Sequence, residues 1–109
     1  MPAPSTDVIQ GTLDMLILKS VALQPMHGFG ITQRIEQISD GVFRVNPGSL
    51  LLAFQRMERA GLIDADWRVT ENNRRAKFYR ITDKGRKQLK EQTREWERRV
   101  AAIARLLEA

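Results

Sequence analysis

The chain has 109 residues, 42% of them hydrophobic, which fits one small domain with one appended element. It contains no cysteine and a single histidine, so neither a disulfide framework nor a thiolate metal site is available. The net charge of +5 is unevenly distributed: residues 1–43 hold two basic and four acidic side chains, whereas residues 44–80 hold eight basic and four acidic, a balance of +4. This positive region favours an anionic polymer as partner, although a solvated charged surface has the same composition.

The beginning of the chain shows no targeting signal. Residues 1–10 contain two prolines, a serine and a threonine, a composition typical of a mobile arm. The apolar run 15–18 is far shorter than the roughly 20 residues that a membrane span requires. We therefore expect a cytoplasmic protein with no membrane partner.

Two helices are predicted before residue 41. The first runs from Thr12 to Leu23 and is apolar nearly all round, so it must be covered on more than one side. In so short a chain, a second subunit is the expected cover, which assigns Leu13, Leu16 and Ile17 to a dimer interface. The second helix opens at His27-Gly28 and runs to about Asp40.

The stretch 46–62 predicts an amphipathic helix with both ends marked. Asn46 is a favoured N-cap, Pro47 suits the first helical position and Gly61 is a favoured stop. Its apolar stripe consists of Leu50, Ala53, Phe54 and Met57. The opposite face is small at the start and basic further along, which suits phosphates and bases, although an ordinary surface helix has the same pattern. The candidate DNA-contacting residues of this helix are Gly48, Ser49, Leu52, Gln55, Arg56 and Arg59.

A β-hairpin follows. Apolar and polar residues alternate from Ile63 to Val69 and predict a half-buried strand, and the returning strand spans 76–81. The segment 70–75 predicts a turn, because asparagine tolerates the positive φ of tight hairpins. Such a basic turn suits phosphates or a minor groove, whereas a merely solvating turn is the alternative. The candidate wing residues are Asn72, Asn73, Arg74, Arg75 and Lys77.

The last helix begins after Thr82, its predicted N-cap, and has a heptad-like apolar seam. A seam of this length packs either on another helix of the same chain or on a copy of itself, and we expect the copy. The seam residues are Leu89, Thr93, Trp96, Val100, Ile103 and Leu107. All of these except Thr93 are candidate dimer-interface residues, together with those of the first helix.

The residues offer no basis for catalysis. His27 has no nucleophile or carboxylate partner in the sequence pattern, and we expect it to cap or pack a helix start. Asp64 and Asp66 share a strand face but lack an accompanying base, so a solvated face is the better interpretation. We expect no enzyme activity, no cofactor and no metal.

The order of elements predicts a mostly α-helical fold with a small β-hairpin: a winged helix-turn-helix over residues 11–81 and a C-terminal dimerisation helix over 82–109. Beyond this order of elements, five sequence segments occur in the order and at the separations typical of one family. On these segments the chain resembles the PadR family of bacterial transcriptional regulators, in its short-tailed branch. The five segments are Gly11–Leu18, His27–Phe29, Gly48–Leu50, Arg56–Ile63 and Lys77–Thr82.

The resemblance implies a homodimer that binds a palindromic operator in double-stranded DNA, usually as a repressor. The third helix would occupy the major groove, the hairpin would lie near the minor groove, and the last helix would form the dimer, braced by the first.

Related regulators bind aromatic molecules. Two copies of Trp96 facing the dimer axis would flank a flat aromatic effector by stacking, whereas the alternative is a tryptophan that only fills the interface.

The chain departs from the family pattern at one place. Family members usually have a tyrosine and a proline where this chain has Leu51 and Leu52. Adjacent exposed leucines favour an alternative function, a degenerate winged-helix module that docks a protein partner through this pair.

Overall fold

The computed structural model describes the backbone of residues 5–109 and the side chains of residues 12–109. Within these residues the structure has four helices and three strands. In order they are α1 (Ser5–Leu23), β1 (Met26–His27), α2 (Gly28–Ile38), α3 (Pro47–Arg59), β2 (Ile63–Val69), β3 (Arg75–Ile81) and α4 (Asp83–Glu108).

Helix α1 begins earlier than the sequence pattern predicts. It starts at Ser5 rather than at Thr12, so residues 5–10, for which the composition predicts a mobile arm, are helical. The segment Ser5-Thr6-Asp7 has the residue types favoured at a helix start, and this local signal outweighs the two prolines that precede it. Residues 1–4 of the predicted arm lie outside the described residues.

The core of the protomer buries Leu13 and Ile17 of α1 without help from a second subunit. Leu13 and Ile17 are buried among side chains of the same chain, and Leu16 packs against that cluster. Helices α2, α3 and α4 and strand β3 all contact α1. The expectation that a second subunit covers Leu13 and Ile17 is therefore wrong, because other elements of the same chain already bury both side chains. Leu16 is only half-buried, and its place in a dimer interface stays a prediction.

The sheet has three strands in the antiparallel order β1-β3-β2, rather than the predicted two. Strand β1 is only two residues long and pairs Met26 with Tyr79 and His27 with Phe78. A two-residue strand has no alternating pattern, so its sequence gives no strand signal. This strand ties the start of α2 to the base of the hairpin.

Helix α3 forms as its sequence predicts. The Oδ1 of Asn46 accepts hydrogen bonds from the backbone N–H groups of Gly48 (2.7 Å) and Ser49 (3.3 Å), Pro47 occupies the first position, and Gly61 has the positive φ of +76°. The buried stripe is Leu50, Ala53, Phe54 and Met57. The caps and the stripe together fix both the length of α3 and the face that it presents to the core.

The hairpin is buried only at its base. Ile63 is buried and Ala65 half-buried, but Trp67 and Val69 are 59% and 66% exposed. The predicted half-buried face therefore ends at Ala65, because the distal half of the hairpin extends beyond the helices that cover its base. The turn contains Asn73 at φ +58°, as the asparagine pair predicts, and strand β3 begins at Arg75, one residue earlier than expected.

Helix α4 starts at a tight junction with the end of α3. The Thr82 hydroxyl donates to the carbonyl oxygens of Gly61 (2.6 Å) and Leu62 (3.0 Å) and accepts from the N–H of Gly85 (3.0 Å). A Cβ on Gly85 would overlap the Leu62 carbonyl oxygen and lie 2.8 Å from Ile81 Cγ1. The junction therefore fixes the direction of α4 relative to the hairpin.

Candidate nucleic-acid interface

The outward side of α3 presents one continuous stripe. Gly48, Leu52, Gln55 and Arg59 recur at helical spacing opposite the buried stripe, and all four are exposed. Ser49, which the sequence grouped with them, is half-buried. The stripe places one apolar side chain, one amide and one guanidinium in line along the helix.

The start of α3 is less open to an anion than its sequence suggests. The first N–H groups of a helix have no partner within the helix. Here two of them, those of Gly48 and Ser49, donate to Asn46 Oδ1. A capping side chain and a phosphate compete for the same donors. Gly48 and Ser49 therefore allow close approach of a ligand but do not offer it their backbone N–H groups.

Arg56 lies on one side of the outward stripe and is paired with α1. Its Nη1 lies 2.5 Å from Asp14 Oδ2 and its Nη2 lies 2.9 Å from Asp14 Oδ1, a bidentate ion pair. The hydrogen bond to Asp14 raises the pKa of Arg56. The helical spacing predicts that Arg56 and Gln55 share the DNA-contacting face of α3, but the structure turns the guanidinium of Arg56 toward α1.

Lys77 lies on the other side of α3 and is paired with that helix. Its Nζ donates to Glu58 Oε1 at 2.9 Å, and this hydrogen bond raises the pKa of Lys77. The expectation that Lys77 belongs to the free basic cluster of the hairpin tip is corrected by this contact, since its charge is compensated by Glu58. The two ion pairs brace α3 against α1 on one side and against β3 on the other.

The hairpin tip retains uncompensated positive charge. Asn72, Asn73, Arg74 and Arg75 are all exposed. The guanidinium of Arg75 lies 5.0 Å from the ring centroid of Trp67, which holds it by a cation–π contact. Among the residues that the structure describes, none forms an ion pair with Arg74 or Arg75.

An open cleft of about 750 Å³ joins the tip to α3. The start of α2 forms a further wall of the cleft, and Leu51 faces into it from α3. Its lining includes Phe29, Pro47, Leu51, Asn72, Arg74 and Arg75. The first turns of α3 and the basic tip therefore border the same surface.

Helix α4 carries an apolar stripe that its own protomer leaves open. Leu89 packs on the core, but Trp96, Val100, Ile103 and Leu107 are exposed, rising from 42% at Trp96 to 81% at Leu107. Thr93 is also exposed. Leu106, which the heptad spacing did not select, adds to this surface. An aromatic effector at Trp96 stays a prediction, beside the alternative of a tryptophan that only fills the dimer interface.

The described residues give little support for catalysis, metal binding or a membrane span. His27 caps α2, as predicted, because its Nδ1 accepts a hydrogen bond from the N–H of Gly30 at 3.0 Å. The carboxylates of Asp64 and Asp66 both face Arg80, at 3.0 and 3.7 Å. No helix within residues 5–109 is both long and apolar enough to cross a membrane. Among the side chains of residues 12–109, no group of three His, Asp or Glu is arranged to hold a metal ion.

Sequence comparison connects this geometry to known proteins. The profile of the family described as "Transcriptional regulator PadR-like family" matches residues 17–91. A transcriptional regulator of Mycobacterium tuberculosis is 36% identical over 78 residues, which cover 72% of this chain and 69% of that protein. A protein of Lysinibacillus sphaericus, protein X, is 32% identical over 91 residues and 84% of both chains.

Solved structures agree with the sequence matches. A transcriptional regulator from Clostridium thermocellum superposes with a TM-score of 0.83 at 31% identity, covering 94% of this chain and 97% of that one. A PadR-like regulator from Bacillus cereus has the same fold, with a TM-score of 0.82 at 24% identity, covering 94% and 98% of the two chains. The predicted winged helix-turn-helix fold is confirmed, and the chain belongs to the PadR-like family of transcriptional regulators.

Proposed function

We propose that the protein is a homodimeric repressor that binds a palindromic operator in double-stranded DNA. In this proposal the outward stripe of α3 enters the major groove, and the hairpin tip contacts the backbone or the minor groove. Repression is the role that the family resemblance implies, since a bound dimer obstructs transcription. Such a regulator acts on the chromosome and thus in the cytoplasm.

One observation carries the DNA-binding proposal: the basic tip and the first turns of α3 border the same open cleft. Arg74 and Arg75 on the tip and Arg59 on α3 have no ion-pair partner among the described residues. Their charge is therefore available for phosphates, whereas Arg56 and Lys77 are already compensated. A surface that combines free cations with an amide on an exposed helix suits a nucleic-acid groove.

The dimer proposal rests on the apolar stripe of α4. Trp96, Val100 and Ile103 are large apolar side chains that the protomer leaves partly in water. A second α4 packed by two-fold symmetry would cover each stripe with its copy. A two-fold dimer presents two α3 helices to two half-sites, which is why we infer a palindromic operator.

A protein-docking module is the alternative, and the exposure of Leu51 and Leu52 is the observation in its favour. The two side chains point to different sides of α3, however. Leu51 lines the cleft beside the hairpin, whereas Leu52 lies on the outward stripe. They therefore do not form one apolar patch, which favours the DNA-binding proposal.

The proposal is tested by selection of DNA. The protein is incubated with a pool of randomised duplexes, and the bound fraction is amplified and sequenced over several rounds. We expect enrichment of a two-fold symmetric sequence whose affinity falls steeply with salt. Failure to enrich any sequence, with weak binding to all duplexes at low salt, would favour the docking module instead.

A further inference from the structure

Leu52 is the large apolar side chain of the outward stripe of α3, which otherwise consists of Gly48, Gln55 and Arg59. It follows Gly48 by one turn and precedes Gln55 by one turn on the outward stripe, and it is 67% exposed. It is not part of the core cluster, to which α3 contributes Leu50, Ala53, Phe54 and Met57. Its exposure to water is unfavourable, and packing within the protomer does not explain the choice of leucine here.

The groups around Leu52 indicate what it meets in a complex with DNA. The backbone N–H groups of Gly48 and Ser49 are taken by Asn46, and Arg56 is held by Asp14. Within one turn of Leu52 on α3, residues 48–56, a phosphate would thus find no free backbone N–H group and no uncompensated cation. The adjacent free side chain is Gln55, whose amide suits the edge of a base. This part of α3 is therefore built to face bases rather than phosphates.

The major groove offers one prominent apolar group on the base edges, the C5-methyl group of thymine. We propose that Leu52 contacts this methyl group in each half-site and so selects thymine at one position of the operator. The inference rests on the proposed function and adds the chemistry by which one residue reads sequence. It requires no hydrogen bond from Leu52, only burial of its side chain against the methyl group.

Uracil substitution in the DNA isolates this contact. Uracil keeps every hydrogen-bonding group of thymine and lacks only the methyl group. The probe is the duplex enriched by the protein itself, prepared with each thymine of one half-site replaced in turn by uracil. Binding to every duplex is measured by fluorescence anisotropy for the wild type and for the Leu52→Ala and Leu51→Ala variants. Both leucines are exposed, so both variants are expected to fold.

At one thymine position of the half-site, we expect replacement by uracil to lower the affinity of the wild type about fourfold. This is the effect of losing the burial of one methyl group. Leu52→Ala should bind the unmodified duplex more weakly and lose the sensitivity to uracil at that thymine. Leu51→Ala should keep this sensitivity, since Leu51 faces the cleft beside the hairpin.

Three results would overturn the inference while leaving DNA binding intact: no thymine is sensitive in the wild type, the sensitivity survives in Leu52→Ala, or it disappears in Leu51→Ala instead. A different result separates the two proposals. If no duplex is enriched at all, the proposed function fails and the reading of thymine fails with it.

Discussion

Arg56 and Arg59 are three positions apart on α3, yet their surroundings differ. Arg56 is held by Asp14 of α1 in a bidentate pair, whereas Arg59 is exposed on the outward stripe. An arginine held by a carboxylate is unavailable to a phosphate unless the pair breaks. In this account, Asp14 limits how many cations α3 contributes to DNA binding.

Replacing Asp14 should therefore add a DNA contact. In Asp14→Ala, Arg56 loses its partner, and its free guanidinium should bind phosphate. We expect tighter binding to random duplex DNA and a salt dependence of log affinity that is steeper by about 0.9 for each subunit. Fluorescence anisotropy across a salt series measures both quantities.

The double variant Asp14→Ala/Arg56→Ala is the control, and its slope should return to that of the wild type. A slope that stays steep in the double variant would assign the effect to the lost negative charge of Asp14 rather than to Arg56. An unchanged slope in Asp14→Ala would contradict the idea that this pair withholds a cation.

Among the elements, α4 depends on a single small residue at its start. Gly85 lies where a methyl group would overlap the Leu62 carbonyl oxygen and crowd Ile81. We expect Gly85→Ala to lower the free energy of unfolding by about 1–3 kcal/mol, as overpacked sites do, although alanine normally favours a helix. Urea unfolding followed by circular dichroism measures the change.

Gly30→Ala is the matched control, because the three atoms nearest to a Cβ there belong to the side chains of His27 and Met26 and lie 3.3 Å or more away. Its unfolding midpoint should lie closer to that of the wild type than the midpoint of Gly85→Ala. A Gly85→Ala protein as stable as the wild type would show that the junction yields easily and does not fix the direction of α4.

The exposed stripe of α4 should control the oligomeric state. A charge at Val100 would be buried without a partner in the proposed dimer, so Val100→Glu should raise the dimer dissociation constant by about a hundredfold or more. Sedimentation velocity over a range of concentrations measures it. Arg98→Glu, on the opposite side of α4, should leave the dimer intact. If Val100→Glu sediments as a stable dimer, the stripe is not the interface.

At the scale of the whole molecule, local signals were readable from the sequence and long-range pairings were not. The caps at Asn46 and Thr82 are confirmed because capping depends on residues within one turn. The pair Asp14–Arg56 joins residues 42 positions apart, and Lys77–Glu58 joins residues 19 apart, so no spacing rule indicates either.

Burial was predicted less well than element type. The alternation of apolar and polar residues through Trp67 and Val69 correctly predicts strand β2. It does not predict that the distal half of this strand is exposed, because exposure depends on how much of the hairpin the helices cover. The apolar α1 was correctly predicted to be covered on several sides, but the covering elements come from its own chain. Periodicity identifies a face without identifying what packs on it.

We propose that α3 reads the DNA sequence while the hairpin tip supplies affinity for any DNA. Gln55 is exposed on the outward stripe, and Arg75 lies on the tip beside Trp67. The most direct test is the affinity of the wild type, Gln55→Ala and Arg75→Ala for the enriched duplex and for random DNA, across a salt series.

We predict that Gln55→Ala loses about 1–3 kcal/mol on the enriched duplex and little on random DNA. Arg75→Ala should weaken binding to both and lower the salt slope by about 1.8 in the dimer. Loss of discrimination between the two DNAs in Arg75→Ala, together with its preservation in Gln55→Ala, would contradict this division of roles between the hairpin tip and α3.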